Sequence, residues 1–224
     1  AGIAAYAIEL QGFGETSGQR GHIPSFSRYY ADILSLIALV RKHHPDNKVF
    51  LLGESMGGLI AFVLASIIPH IANGVICYSP AFKSKLSFST ADTLKIFFAL
   101  LYRRSKTFEV PFTAAMCTRD EEWQTTLDQD PLAPRRASAQ MLVNIVAQQR
   151  CALSVLKKIS VPVLIQLSGG DRIVDARESK KIFRKLVLED KTLIDYPEYA
   201  HALSVDSGRE LVFMDTLAWI VRHL

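Results

Sequence analysis

The stretch VFLLGESMGGLIAFVLAS, Val49 to Ser66, decides how this chain is read. Lys48–Leu52 is a short apolar run with strand character, and Met56–Ile68 carries a helical pattern that Pro69 stops. Between them stands Gly53-Glu54-Ser55-Met56-Gly57, a G-x-S-x-G pentapeptide. A strand, a sharp turn and a helix form the setting in which a serine hydroxyl is exposed as a nucleophile. A serine in such a turn is held in a strained conformation, and glycines on either side leave room for close backbone approach. The helix that follows offers backbone N–H groups and a partial positive charge, both of which favour an oxyanion beside Ser55. The bland alternative is a glycine-rich turn that happens to hold a buried serine.

Outward from this stretch the pattern alternates. Ile3–Glu9 reads as a strand and Gln11–Ser25, rich in Gly and Ser, as a loop. Phe26–His43 places Ile33, Leu36, Ile37 and Val40 at helical spacing, ended by Pro45-Asp46-Asn47. Gly74–Tyr78, Val161–Leu167 and Lys191–Tyr196 read as strands, and Ala176–Leu186 and Asp206–Val221 as helices. Such alternation predicts an α/β fold with a doubly wound, mostly parallel sheet. Residues 81–160 break the rhythm, with helical patterns and no convincing strand, so residues 1–80 and 161–224 are expected to form the core and 81–160 an inserted helical subdomain.

A serine needs a base to take its proton. Of the six histidines, His201 alone follows a late strand, in DYPEYAHALSVD, and enzymes built on parallel sheets put their chemistry at the carboxyl ends of strands. The base needs an orienting carboxylate, and SGGDRIVDARES after the strand Val161–Leu167 offers Asp171 and Asp175. Asp175 is explained as a helix N-cap with Glu178 three residues on, which makes Asp171 the preferred partner and leaves Asp175 as the alternative.

Composition narrows the classes. The chain has 224 residues, 49% hydrophobic and 21% charged, ordinary for a globular domain. Its longest apolar runs are too short to cross a bilayer. The net charge of +4 comes from scattered Lys and Arg with no nucleic-acid-binding motif, so a nucleic-acid partner is not expected. Three cysteines, Cys77, Cys117 and Cys151, form no disulfide framework.

In the expected subdomain, ADTLKIFFALLY (Ala91–Tyr102) is apolar almost all round, the kind of helix usually found buried. Its Leu94, Phe97 and Phe98 are candidates to line an apolar substrate pocket; the helix could equally just pack on the body. Arg103, Arg104 and Lys106 follow and read best as solvated charges, with anionic headgroups the other reading.

Taken together, Gly12-Phe13-Gly14-Glu15-Thr16-Ser17-Gly18 with Arg20-Gly21, Gly53-Glu54-Ser55-Met56-Gly57-Gly58, and Asp130-Pro131-Leu132 resemble the monoacylglycerol lipase and lysophospholipase branch of the α/β-hydrolases, the serine-aminopeptidase-like "hydrolase 4" group. The resemblance spans essentially the whole chain, with Glu54 where the group usually has His. It implies that Ser55 is the nucleophile, His201 the general base and then acid, and Asp171 the orienter, in acyl transfer to water without metal or organic cofactor. The Met56 N–H would be an oxyanion donor. The group's first three strands, and the His-Gly loop that supplies the second donor, are not found before Ser55. The expected substrate is a carboxylic ester of a single-chain lipid, and residues 81–160, as a helical cap, could touch a membrane peripherally in an otherwise cytoplasmic protein. An aminopeptidase, with Glu54 as a conceivable acidic group for a free amine, and a non-catalytic hydrolase-fold protein are the competing expectations.

Overall fold

Four short apolar runs make one sheet. In the computed structural model, which describes residues 2–133 and 135–224, β1 (Phe50–Glu54), β2 (Gly74–Tyr78), β5 (Val163–Ser168) and β6 (Lys191–Tyr196) pair in the order β1-β2-β5-β6, all parallel. β2 and β5 are buried along their whole length, as expected of central parallel strands, which read as unbroken apolar runs. The register sets Glu54 beside Tyr78, Tyr78 beside Gln166, and Ser168 beside Tyr196. The carboxyl ends of the four strands therefore share one sheet edge, from which the loops carrying Ser55, Asp171 and His201 all depart.

The chain divides into two compact units. The first comprises the residues up to Asn47, Ser89–Val110 and Pro131–Asn144. It holds α1 (Ser27–His43), α3 (Thr90–Tyr102) and a two-stranded antiparallel ribbon of β3 (Thr107–Glu109) and β4 (Arg136–Ser138). Its glycine-rich loop is held by backbone bonds: Ser138 N–H donates to Gly21 O at 2.8 Å. Gly21, at φ 64°, has room for no side chain, because a Cβ would lie 1.9 Å from Arg136 O.

The second unit, Lys48–Phe88, Pro111–Asp130 and Ile145–Leu224, contains the sheet with α2 (Met56–Ile67), α4 (Ala114–Cys117), α5 (Glu121–Gln129), α7 (Ala176–Lys185) and α8 (Arg209–Arg222). α6 (Ala139–Ser154) begins in the first unit and ends in the second. α2, MGGLIAFVLASI, is buried from Gly58 to Ser66, and contacts β1 and β2. A cluster of Ile76, Tyr78, Leu164, Tyr196, Leu203, Val212 and Trp219 fills the core. A polar chain threads it: Tyr78 Oη lies 2.5 Å from Thr216 Oγ1, Thr216 donates to Gln166 Oε1 at 2.8 Å, Gln166 Nε2 donates to Tyr196 Oη at 2.6 Å, and Tyr196 donates to Asp215 at 2.8 Å. Each buried member thus has a partner, the condition under which polar groups are tolerated in a core.

Three expectations are corrected. Ile3–Glu9 forms no strand: among the described residues it has no pairing partner, and Ile3 and Tyr6 are each 44% exposed. Strand conformation depends on a neighbour to complete its ladder, which β-propensity alone does not supply. Residues 81–160 do contain strand, in β3 and β4, whose three residues each are too short to show a period of two. The last helix starts at Arg209 rather than Asp206, after Gly208 at φ 89°, because the Asp206 carboxylate is engaged elsewhere. Among the described residues no helix is long and apolar enough to cross a membrane.

Candidate active site

Ser55 lies between the last residue of β1 and the first of α2, with φ 54° and ψ −117°. A positive φ is costly for a residue with a Cβ and persists only where the surroundings impose it. Here Ser55 N–H donates to Tyr78 O at 2.8 Å, while Ser55 O accepts from Leu59 N–H at 3.1 Å and Ala81 N–H at 2.9 Å. The glycines divide the remaining task unequally. A Cβ on Gly53 would stand 2.3 Å from the carbonyl of Gly57, and one on Gly58 3.0 Å from Gly53 O. Nothing lies within 4 Å of a Cβ on Gly57, so the close approach is made by Gly53 and Gly58, and of the two glycines in the pentapeptide only Gly53 takes part. Met56 opens α2, in the turn whose N–H groups have no acceptor within the helix.

His201 and Asp171 reach this serine. His201 Nε2 is 2.8 Å from Ser55 Oγ, and His201 Nδ1 is 2.7 Å from Asp171 Oδ2. Asp171 and His201 are buried, 3% and 5% exposed, so their contact is shielded from competing water. The other Asp171 oxygen accepts from Ile173 N–H and Val174 N–H, each at 2.8 Å, which fixes the carboxylate's orientation. With Asp171 accepting from Nδ1–H, Nε2 presents its lone pair to the serine hydroxyl, the tautomer a general base needs. Asp175 accepts from Arg177 N–H at 3.1 Å as the N-cap of α7 and takes no part in the constellation.

The histidine loop is stapled from several directions. Ala202 N–H donates to Cys117 O at 2.7 Å, and Ala200 N–H to Asp206 Oδ2 at 2.7 Å. Asp206, wholly buried, also accepts from Arg119 N–H at 2.6 Å and Arg119 Nε at 2.9 Å, and the Arg119 guanidinium lies 4.7 Å over the Tyr199 ring. Lys85 Nζ donates to Asp171 O at 2.5 Å, pinning the aspartate loop. Glu54, next to the serine, accepts from Ser204 N–H at 3.1 Å and Ser204 Oγ at 2.6 Å. Burial pushes the Glu54 carboxyl up from its usual range, while the Ser204 bonds and the nearby His201 pull it back. Burial, then the negative charge of Asp171, raises the Cys117 thiol to about 11.

The sequence did not expose Lys85, Arg119, Ser204 and Asp206. Arg119 and Asp206 stand 87 residues apart, in segments with no motif, so only the folded chain pairs them. The apolar helix α3 also differs from expectation: Ala99 is its one buried residue, and Leu94, Phe97 and Phe98 are 55%, 58% and 55% exposed. Its apolarity therefore forms an open surface, where periodicity suggested enclosure.

Among the described residues no group of His, Cys, Asp and Glu could hold a metal ion. Residues 1–208 match the family described as serine aminopeptidase, S33 (Hydrolase_4). A monoacylglycerol lipase of Mycolicibacterium smegmatis is 24% identical over 226 residues, covering 100% of this chain and 80% of that protein. A mouse (Mus musculus) monoglyceride lipase is 26% identical over 211 residues, covering 90% and 67%. The crystal structure of Paleococcus ferrophilus monoacylglycerol lipase superposes with a TM-score of 0.86 at 24% identity, covering 98% of this chain and 83% of that one. Likeness at that level shows a shared fold, the α/β-hydrolase fold.

Proposed function

The chain belongs to the serine aminopeptidase S33 (Hydrolase_4) family, and from there we propose that it is a serine hydrolase cleaving carboxylic esters of single-chain lipids, of monoacylglycerol or lysophospholipid type. The observation that carries this reading is the continuous hydrogen-bonded line Ser55–His201–Asp171, at 2.8 and 2.7 Å. Ser55 Oγ attacks the ester carbonyl as His201 Nε2 takes its proton. The Met56 N–H, at the positive end of α2, receives the oxyanion that forms. The imidazolium, held by Asp171, then protonates the leaving alcohol, and an acyl-enzyme remains. Water enters by the same route in reverse, with His201 again as base, and frees the fatty acid. Residues 81–160 serve as a cap, and Leu94, Phe97 and Phe98 contact the acyl chain.

Ester hydrolysis is supported over peptide hydrolysis by the names of the lipase relatives and by Glu54. An aminopeptidase needs a free acidic group for the substrate amine, whereas both Glu54 oxygens are taken by Ser204. The test is turnover of p-nitrophenyl esters against aminoacyl arylamides, with Ser55→Ala as control. Ester turnover that falls at least about a thousandfold in the variant is expected. An active Ser55→Ala, or no fluorophosphonate adduct on Ser55 in the unmodified protein, would sink the assignment. A preference for arylamides would turn the substrate class to peptides.

A further inference from the structure

Glu54 stands where a carboxylate is expensive. It is half-buried, and no Lys or Arg pairs with it among the described residues. Ser204 meets both of its oxygens, through the backbone N–H and the hydroxyl, and the Leu203 backbone adds a further bond. Ser204 lies three positions after His201, and Glu54 one position before Ser55. The Glu54–Ser204 contact, 150 residues apart in sequence, thus runs beside the Ser55–His201 contact, 146 apart, as a second rung between the same two loops.

We propose that Glu54 is a positioning residue of the hydrolytic site: bound by Ser204, its carboxylate tethers the His201 loop to the serine turn and sets a second negative charge near the imidazole. This rests on the serine-hydrolase reading above. A carboxylate without a resident cation is stabilised when a cation appears beside it. The cation that appears here is the His201 imidazolium, formed once Ser55 has lost its proton. Interactions stronger in the transition state than in the ground state raise kcat, and the Glu54–imidazolium attraction belongs to that kind. Asp171 acts on the ring through direct contact, and Glu54 acts through the loop and through the field.

The groups that face Glu54 from the elements around it fit this role. His201 and Ser204 come from the loop after β6, Tyr78 from the end of β2 and Cys117 from the end of α4. Burial raises the Tyr78 hydroxyl to about 12 and the Cys117 thiol to about 11, and the Glu54 charge adds to both shifts. Both stay neutral across the working range and add no charge beside Glu54.

The experiment is the pH dependence of p-nitrophenyl ester hydrolysis by the full chain, its Glu54→Gln and Ser204→Ala variants, and Ser55→Ala. Glu54→Gln keeps the shape and one acceptor oxygen while removing charge. It should lower kcat about tenfold, leave KM within about twofold, and move the acid limb of kcat/KM down by about half to one pH unit, because His201 then holds its proton less tightly. Glu54→Asp should return the limb toward the wild-type position. Ser204→Ala, which loosens the tether, should lower kcat about threefold or more without that downward shift. A wild-type limb in a folded Glu54→Gln overturns the electrostatic role, since a merely structural residue would alter the melting temperature and leave the limb in place. A wild-type kcat in Ser204→Ala overturns the tether, even where Glu54→Gln does not fold. Full activity in Ser55→Ala overturns both readings together, whereas a dead Ser55→Ala beside an unaltered Glu54→Gln profile overturns the Glu54 role alone.

Discussion

At Ser55 a single φ of 54° carries the geometry of the site, and the cost of that angle is met by neighbours that a pentapeptide pattern ranks incorrectly. The pattern gives equal weight to Gly53 and Gly57. The backbone does not: Gly53→Ala would drive a Cβ to 2.3 Å from the Gly57 carbonyl, while Gly57→Ala meets nothing within 4 Å. Chemical denaturation should therefore find Gly57→Ala within about 1 kcal/mol of the parent, with the better helix former at a helical position. Gly53→Ala should be destabilised by about 3 kcal/mol or more, or fail to fold; equal stabilities would show that the turn relaxes freely. Cys117 gives a second test at this scale. With its thiol raised to about 11 by burial first and then by Asp171, Glu54 and Asp128, little thiolate exists near neutrality. Alkylation by iodoacetamide at pH 8, followed by mass spectrometry, should be roughly a hundredfold slower than for an unperturbed thiol and should quicken about tenfold per pH unit up to pH 10. A fast, pH-independent reaction would contradict the burial.

The elements matter through their ends. α7 is capped by Asp175, whose carboxyl Arg177 holds below the usual carboxylate range, by its side chain first and then by its N–H. Asp175→Ala should cost about 1 kcal/mol at neutral pH, read by urea denaturation. A carboxyl depressed in the folded state lends stability above its unfolded value, near 3.9, and loses it as pH falls through the lower folded value. The variant and parent should thus converge in stability as pH falls through that lower folded value; a gap that stayed constant with pH would put the effect down to packing. Asp206 works at the junction of two elements. It ties α4's exit at Arg119 to the turn before α8 and to Ala200, beside the candidate base. Asp206→Ala removes the acceptor of Arg119 Nε and of the Arg119 and Ala200 N–H groups. It should lower stability by about 3 kcal/mol and depress kcat as the His201 loop loosens. Unchanged kinetics would remove Asp206 from the support of the site.

In the whole molecule, two properties go beyond any single element. The first is the polar thread Tyr78–Thr216–Gln166–Tyr196–Asp215 through the second unit's core. Gln166 is 0% exposed and central to it, so Gln166→Leu should cut the thread in two, taking one partner each from Thr216, Tyr196 and Val212 O. A loss of about 2–4 kcal/mol on thermal or urea unfolding is expected, more than an apolar swap at a buried strand position usually costs. A neutral result would mean that the thread reforms around water. The second is exposed apolar surface. Leu52 on β1 is 53% exposed, and β1 pairs on one side only among the described residues. An apolar, half-paired strand is a template for association. Leu52→Lys should therefore reduce light scattering during refolding; equal scattering would locate the association elsewhere. α3, with Phe97 and Phe98 exposed, belongs with the substrate proposal: Phe97→Ser should narrow the preference for long acyl esters over short ones.

The sequence by itself determined the parallel-sheet frame and the identities of Ser55, His201 and Asp171 as candidates. Those depend on local facts: apolar runs bounded by Pro and Gly, a strand-to-helix turn, and the place of each residue just beyond a strand. It also gave Asp175 its cap, because capping acts within one turn of helix. The tertiary structure alone decided which glycines are indispensable, that Ile3–Glu9 has no pairing partner among the described residues, that the apolar α3 lies open, and that Arg119, Asp206, Lys85 and Ser204 support the site. Each of these turns on an atom brought close from far along the chain, or on the absence of one, and hydrophobic period and residue type carry no record of that distance.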